Sequence, residues 1–233
     1  MSVRLKQVLS LAVGLCGAVM MAPVAAQVAP SAQQSAHYTG LLAAAYGGNL
    51  VSLKALLGRK PALDVRDAQQ RTPLHLATYA RRLEAMRMLV AAGADLNALE
   101  HQRYDAVTIA AVANDEAGLA LLLEAGASPR NITSPYDGTA LIAAAHLGHV
   151  GVVRQLISAG APLDHVNNLH WTALIEAVVL GDGGKRHTEI VRLLLLAGAS
   201  VKLGDRDGNT PLMLAKARGY REMAALLATA KDR

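Results

Sequence analysis

Glu176 is the residue most clearly out of place in this sequence, a lone carboxylate inside the apolar run Ala173-Leu174-Ile175-Glu176-Ala177-Val178-Val179. A charge in such surroundings needs a partner, and His170, Arg186 and His187 are the nearby groups able to supply one. With His170 or His187 it would make an acid-base pair; held internally, it would be a buried ion pair tying down the neighbouring loop. That loop runs Gly181-Asp182-Gly183-Gly184-Lys185-Arg186-His187-Thr188-Glu189. Its Lys185 and Arg186 could embrace a small anion or an acidic peptide, with Asp182 and His187 beside them. It is not a phosphate loop, which needs Gly-x-x-x-x-Gly-Lys-Ser/Thr: Val179 occupies the first glycine position and Arg186 the Ser/Thr position. His146 and His149, three apart, would need His187 or Asp182 to complete a metal site. No recognised zinc spacing accompanies them, so neither a metal nor a cofactor is expected.

What surrounds these groups narrows the chemistry further. The segment before residue 27 reads as an export signal. Arg4 and Lys6 give a short positive region, Leu9 to Met21 an apolar run, and Val24-Ala25-Ala26 small residues for cleavage after Ala26. The competing reading is an uncleaved anchor, because Val8 to Ala26 is almost unbroken apolar and approaches the length of a span. Lipidation at Cys16 is disfavoured by the bulky Leu15 before it. Cleavage would leave 21 Lys+Arg against 18 Asp+Glu, a net charge of +3 where the full chain has +5. That balance is mild and scattered, which argues against nucleic acid as a partner. Cleavage also removes the only cysteine, excluding thiol catalysis, disulfides and Cys-zinc sites. The expected place of action is the periplasm or the exterior, with no membrane span after cleavage.

The remainder repeats itself. Thr72-Pro73-Leu74-His75-Leu76-Ala77 returns as Thr139-Ala140-Leu141-Ile142-Ala143-Ala144, as Thr172-Ala173-Leu174-Ile175-Glu176-Ala177 and as Thr210-Pro211-Leu212-Met213-Leu214-Ala215, with a degenerate copy from Asp105 to Ala110. The intervals from Thr72 through Asp105, Thr139, Thr172 and Thr210 are 33, 34, 33 and 38 residues. A second motif keeps step, as in Leu89-Val90-Ala91-Ala92-Gly93-Ala94 and Leu194-Leu195-Leu196-Ala197-Gly198-Ala199. A steady period near 33 means a stacked array. Thr72 and Pro73 suit a helix start, and Gly93, Gly126, Gly160 and Gly198 suit left-handed helix ends. In the 38-residue interval about five residues are inserted between the two helices of the fifth copy.

At these residues the sequence resembles the ankyrin repeat family, of the bacterial exported (periplasmic) kind, from about His37 to Ala228. The resemblance implies an all-α solenoid of about six helix-loop-helix units with short hairpin fingers. The units fall near 37–66, 67–99, 100–133, 134–166, 167–204 and 205–233, after a flexible leader at 27–36. It further implies that another protein is bound on the concave face of the first helices and on the finger tips. The matching tip positions are Arg71, His101, Tyr104, Tyr136, Asn168, Trp171 and Arg206; on the concave helices they are Tyr46, Tyr79, His146 and Leu180. In a chain with no phenylalanine and one tryptophan, aromatics at such places are candidate hot spots. His75 and His149 belong to the ordinary repeat pattern. Similar exported bacterial proteins are linked in general to envelope stress-defence enzymes, catalases included, which makes such an enzyme the expected partner. A solenoid offers a broad groove where catalysis needs an enclosed pocket, so the chain is not expected to be an enzyme. Capture of a small anionic ligand by residues 181–189 is the alternative.

Overall fold

The computed structural model describes residues 28–230. The proposed signal segment, residue 27 and the last three residues lie outside them. Six helix pairs follow one another: α2 (Gly40–Gly47) with α3 (Leu50–Leu57), α4 (Pro73–Tyr79) with α5 (Leu83–Ala92), α6 (Ala106–Val112) with α7 (Glu116–Glu124), α8 (Ala140–Leu147) with α9 (Val150–Ser158), α10 (Ala173–Val179) with α11 (Lys185–Ala197), and α12 (Pro211–Ala217) with α13 (Arg221–Thr229). First helices pack on first helices and second on second, giving two layers that run the length of the stack.

The repeated threonine starts each first helix. Thr72, Thr139, Thr172 and Thr210 accept a hydrogen bond from the backbone N–H three residues on, and Asp105 does so in the degenerate copy. Each cap satisfies one of the donors a helix start leaves unpaired and is worth about 1 kcal/mol. Five residues beyond the cap, Ala77, Ala110, Ala144, Ala177 and Ala215 are fully buried; a methyl group there lets neighbouring first helices approach closely. The second helices end where Gly93, Gly126, Gly160 and Gly198 take positive φ, the conformation their missing Cβ permits.

Each finger is held by one side chain. Asp67, Glu100, Ser134, Asn167 and Asp205 each accept from the backbone N–H groups two and four residues ahead, at distances between 2.8 and 3.4 Å. The residue after the tip then turns left-handed: Gln70, Arg103, Asp137, His170 and Gly208 all have positive φ.

Two expectations are corrected. The leader at 27–36 is folded where it is described: α1 (Ala32–Ala36) is closed by a capping box between Ser31 and Gln34. It docks on the first finger, where Arg71 donates to Gln34 Oε1 (3.2 Å) and to Val28 O (3.4 Å). Next to it, Tyr38 donates to Asp67 at 2.8 Å. The insertion in the fifth unit is only partly a loop, because Lys185, Arg186 and His187 form the first turn of α11, which reaches 13 residues. The open part is Leu180 to Gly184.

Candidate binding groove and finger row

Seven residues after each cap lies one position per unit: Tyr46, Tyr79, Val112, His146, Val179 and Ala217. The first five are half-buried and the last exposed, so they form a row along the open side of the first-helix layer. Tyr46 meets Tyr38 edge to face at 5.7 Å. Tyr79 has its hydroxyl buried with no partner, and burial, followed by the charge of Glu100, pushes that phenol well above its usual range. Leu180, half-buried, sits one residue past the row, which Val179 occupies in its unit.

The fingers are laced together. His101 N donates to Gln69 O at 2.9 Å, Ser134 N to Arg103 O at 3.3 Å and Asn168 N to Tyr136 O at 3.0 Å. Asn168 also donates to Pro135 O, and Arg206 reaches back to Asn168 O. Arg103 pairs with Asp137 at 2.7 Å across two fingers. His101, Asn168 and Arg206 are exposed, while Tyr136 and Trp171 are half-buried. Arg103, Asp137 and His170, which the repeat pattern does not single out, stand at the same tips. Their left-handed φ is the feature that marks them.

Two of the tip assignments fail. Arg71 is 2% exposed and Tyr104 4%. Both immediately precede a helix cap, where the backbone returns from the tip to pair with the residue four earlier, and their side chains fold under the finger; Trp171 holds the same place in its unit but stays half-buried. Arg71 spends its charge on Asp67 at 2.8 Å. Burial opposes the charge on Asp67, but hydrogen bonds from the Arg71 backbone, the Tyr38 hydroxyl and the Arg71 guanidinium outweigh it and hold the carboxyl low.

Glu176 is 4% exposed, as its apolar setting predicts, but none of the three expected partners reaches it. Asn167 Nδ2 donates to its Oε1 at 3.1 Å, and His146 Nδ1 stands 3.5 Å from Oε2. Oε2 accepts no hydrogen bond. His187 is engaged elsewhere: Nδ1 meets Asp182 Oδ1 at 3.0 Å and Nε2 donates to His146 O at 3.0 Å. The second contact is part of a recurring tie. Arg82 donates to Tyr46 O and His149 to Ala111 O, each from the start of a second helix to the last turn of the first helix one unit earlier, and Tyr220 donates to Gly181 O just beyond the end of α10. The insertion thus carries His187 into the slot that His149 fills one unit earlier. Gly181 is needed there, because a Cβ would strike Ala177 O. Asp182 accepts from Gly184 N and then from His187, which together keep its carboxyl low. Lys185 and Arg186 are exposed on the added helical turn. Among the described residues no group of three His, Cys, Asp or Glu could hold a metal ion, and no helix is long and apolar enough to cross a membrane.

With paired helices, capped starts, glycine ends and laced fingers in place, one comparison decides the family: the model for ankyrin repeats (3 copies) matches residues 11–100 and 107–203. The chain belongs to the ankyrin repeat family. The first match begins inside the segment read above as an export signal. An ankyrin repeat domain from Acinetobacter baumannii AYE is 44% identical, with a TM-score of 0.79 over 83% of this chain and 98% of that one. The ankyrin repeat protein EF0377 is 31% identical, with a TM-score of 0.78 over 83% of this chain and 100% of that one. The putative ankyrin repeat protein YahD of Escherichia coli (strain K12) is 53% identical over 49 residues, 21% of this chain and 24% of YahD. The match thus spans about a quarter of that relative's length. Ankyrin repeats generally mediate protein-protein interaction, and the family is typically a non-enzymatic scaffold.

Proposed function

We propose that this chain is an exported scaffold, periplasmic or secreted, that holds another protein and catalyses nothing itself. The observation that carries the reading is the continuous surface formed by the half-buried first-helix row and the laced fingers. Solenoids bind their partners on extended surfaces built from many repeats. Chemistry is poorly served by the same architecture. A cleft of about 440 Å³ lies on the first unit, and among its lining residues only Arg59 is ionisable. Glu176 is held at Oε1 by Asn167. An envelope stress-defence enzyme is the partner class proposed, from the resemblance to exported bacterial ankyrin proteins.

Site-specific photo-cross-linking in living cells tests this. A photoreactive residue at His101 or Asn168 should capture one protein species, identified by mass spectrometry, while the same residue at Arg87 on a second helix should not. Equal capture from both faces, or fractionation of the chain to the cytoplasm, would refute the reading. In the same complex, Trp171→Ala should weaken capture without unfolding the stack.

A further inference from the structure

We propose that Glu176 is a subsite for a basic side chain of the bound protein, reached through His146 from the groove; the inference rests on the scaffold reading and adds the chemistry of what is held. The fold does not ask for this carboxylate. Four residues after the cap, the other units carry Ala43, Leu76, Ile109, Ala143 and Leu214, and all of them pack without a charge. Glu176 costs desolvation there, and its compensation inside the stack is incomplete. Asn167 Nδ2 holds Oε1 at 3.1 Å and so fixes the plane of the carboxylate. Oε2 is buried and accepts nothing. A buried oxygen of this kind is uncommon in a native fold and calls for a donor.

What lies over Oε2 is not a fixed wall. His146 Nδ1 is 3.5 Å away, outside good hydrogen-bond range, and the His146 side chain is 29% exposed at the groove row. Turning that side chain away would uncover Oε2 on the side of the groove row; the same register position on α8, which packs against α10, is Ala143, where earlier units carry the larger Leu76 and Ile109. The incoming group must donate hydrogen bonds and carry positive charge, since it replaces a histidine against a carboxylate of which one oxygen is already satisfied. A guanidinium or an ammonium meets both demands. The ionisable group beside Oε2 is His146, which an incoming cation would displace; Lys185 and Arg186 are exposed on the added turn of α11.

The test uses the full chain with methylguanidinium and methylammonium chloride as stand-ins for arginine and lysine side chains, at constant ionic strength, followed by NMR of the histidine rings. Saturable shifts confined to His146 are expected, at millimolar concentrations, with affinity lowered roughly tenfold or more in Glu176→Gln. Glu176→Leu, which restores the residue type of Leu76, keeps the fold and should abolish the shifts. Shifts that persist in both variants, or that spread equally to the exposed His101 and His170, would overturn the proposal. Because the titration needs no partner protein, its failure leaves the scaffold reading intact. Cross-linking that found no partner would refute that reading and leave the cation site standing.

Discussion

Replacing Arg71 tests whether it anchors α1 to the first finger. Arg71→Ala removes the Asp67 contact at 2.8 Å and the bonds to Val28 O and Gln34 Oε1. A hydrogen bond to a charged group is worth about 1.5–3 kcal/mol, and breaking a buried pair outright costs about 3–5 kcal/mol because a charge is left alone. Asp67 keeps the Tyr38 hydroxyl and two backbone N–H groups, which places the loss near the lower end, at about 3 kcal/mol. With a urea slope of about 2 kcal/mol/M, the midpoint should fall by about 1.5 M. Hydrogen exchange at residues 31–38 should accelerate as α1 leaves the first finger. A midpoint within about 0.2 M of the parent, well below the shift that slope implies, or unchanged protection at 31–38, would refute the anchor role.

Gly126→Ala should cost about 1 kcal/mol or slightly more, read by thermal melting, because φ is +95° and nothing lies within 4 Å of the added Cβ, leaving backbone strain as the whole effect. Burial pulls the imidazole of His75 down to about 4 from an ordinary 6.5. A folded-state value below the unfolded one means stability present above about 6.5 and lost as pH falls toward 4, about 3 kcal/mol in all; His75→Gln should flatten urea midpoints across that window, and an unflattened profile would assign the loss to other groups. Deleting residues 182–186 should lower the melting temperature by withdrawing His187 from His146 O, while partner capture stays intact; lost capture at unchanged stability would return the insertion to a ligand-binding role. Thr172→Ala should destabilise by about 1 kcal/mol through the lost cap to Ile175.

The period, the six helix pairs and the glycine ends were legible because each rests on a local rule that repeats. Thr caps, Ala spacers and left-handed Gly need no knowledge of distant partners. The misreadings arose where distant partners decide. Gln27 to Ala36 looked like a leader by composition, yet Ser31 and Gln34 three apart already spelled a capping box; what sequence could not show was Arg71, 37 residues on, waiting for Gln34. Arg71 and Tyr104 looked like tip residues because the tip was placed too late. The side-chain acceptors Asp67 and Glu100, with their bonds to the second and fourth N–H ahead, set the tip two or three residues earlier. The burial of Glu176 follows from its apolar run, but its partners Asn167 and His146 come from a finger base and a neighbouring helix. Proximity along the chain favoured His170, Arg186 and His187 and was misleading. The insertion was legible as extra length; that it would lengthen α11 and restore the inter-unit tie followed from packing alone.

Hydrogen-deuterium exchange of the stack, alone and with its cross-linked partner purified, tests the central claim most directly. Protection should concentrate on the fingers around residues 101–104, 134–137 and 168–171 and on the first helices α8 and α10, with the second helices unchanged. Protection centred on α5, α7 and α9, or none anywhere along the stack, would contradict the account.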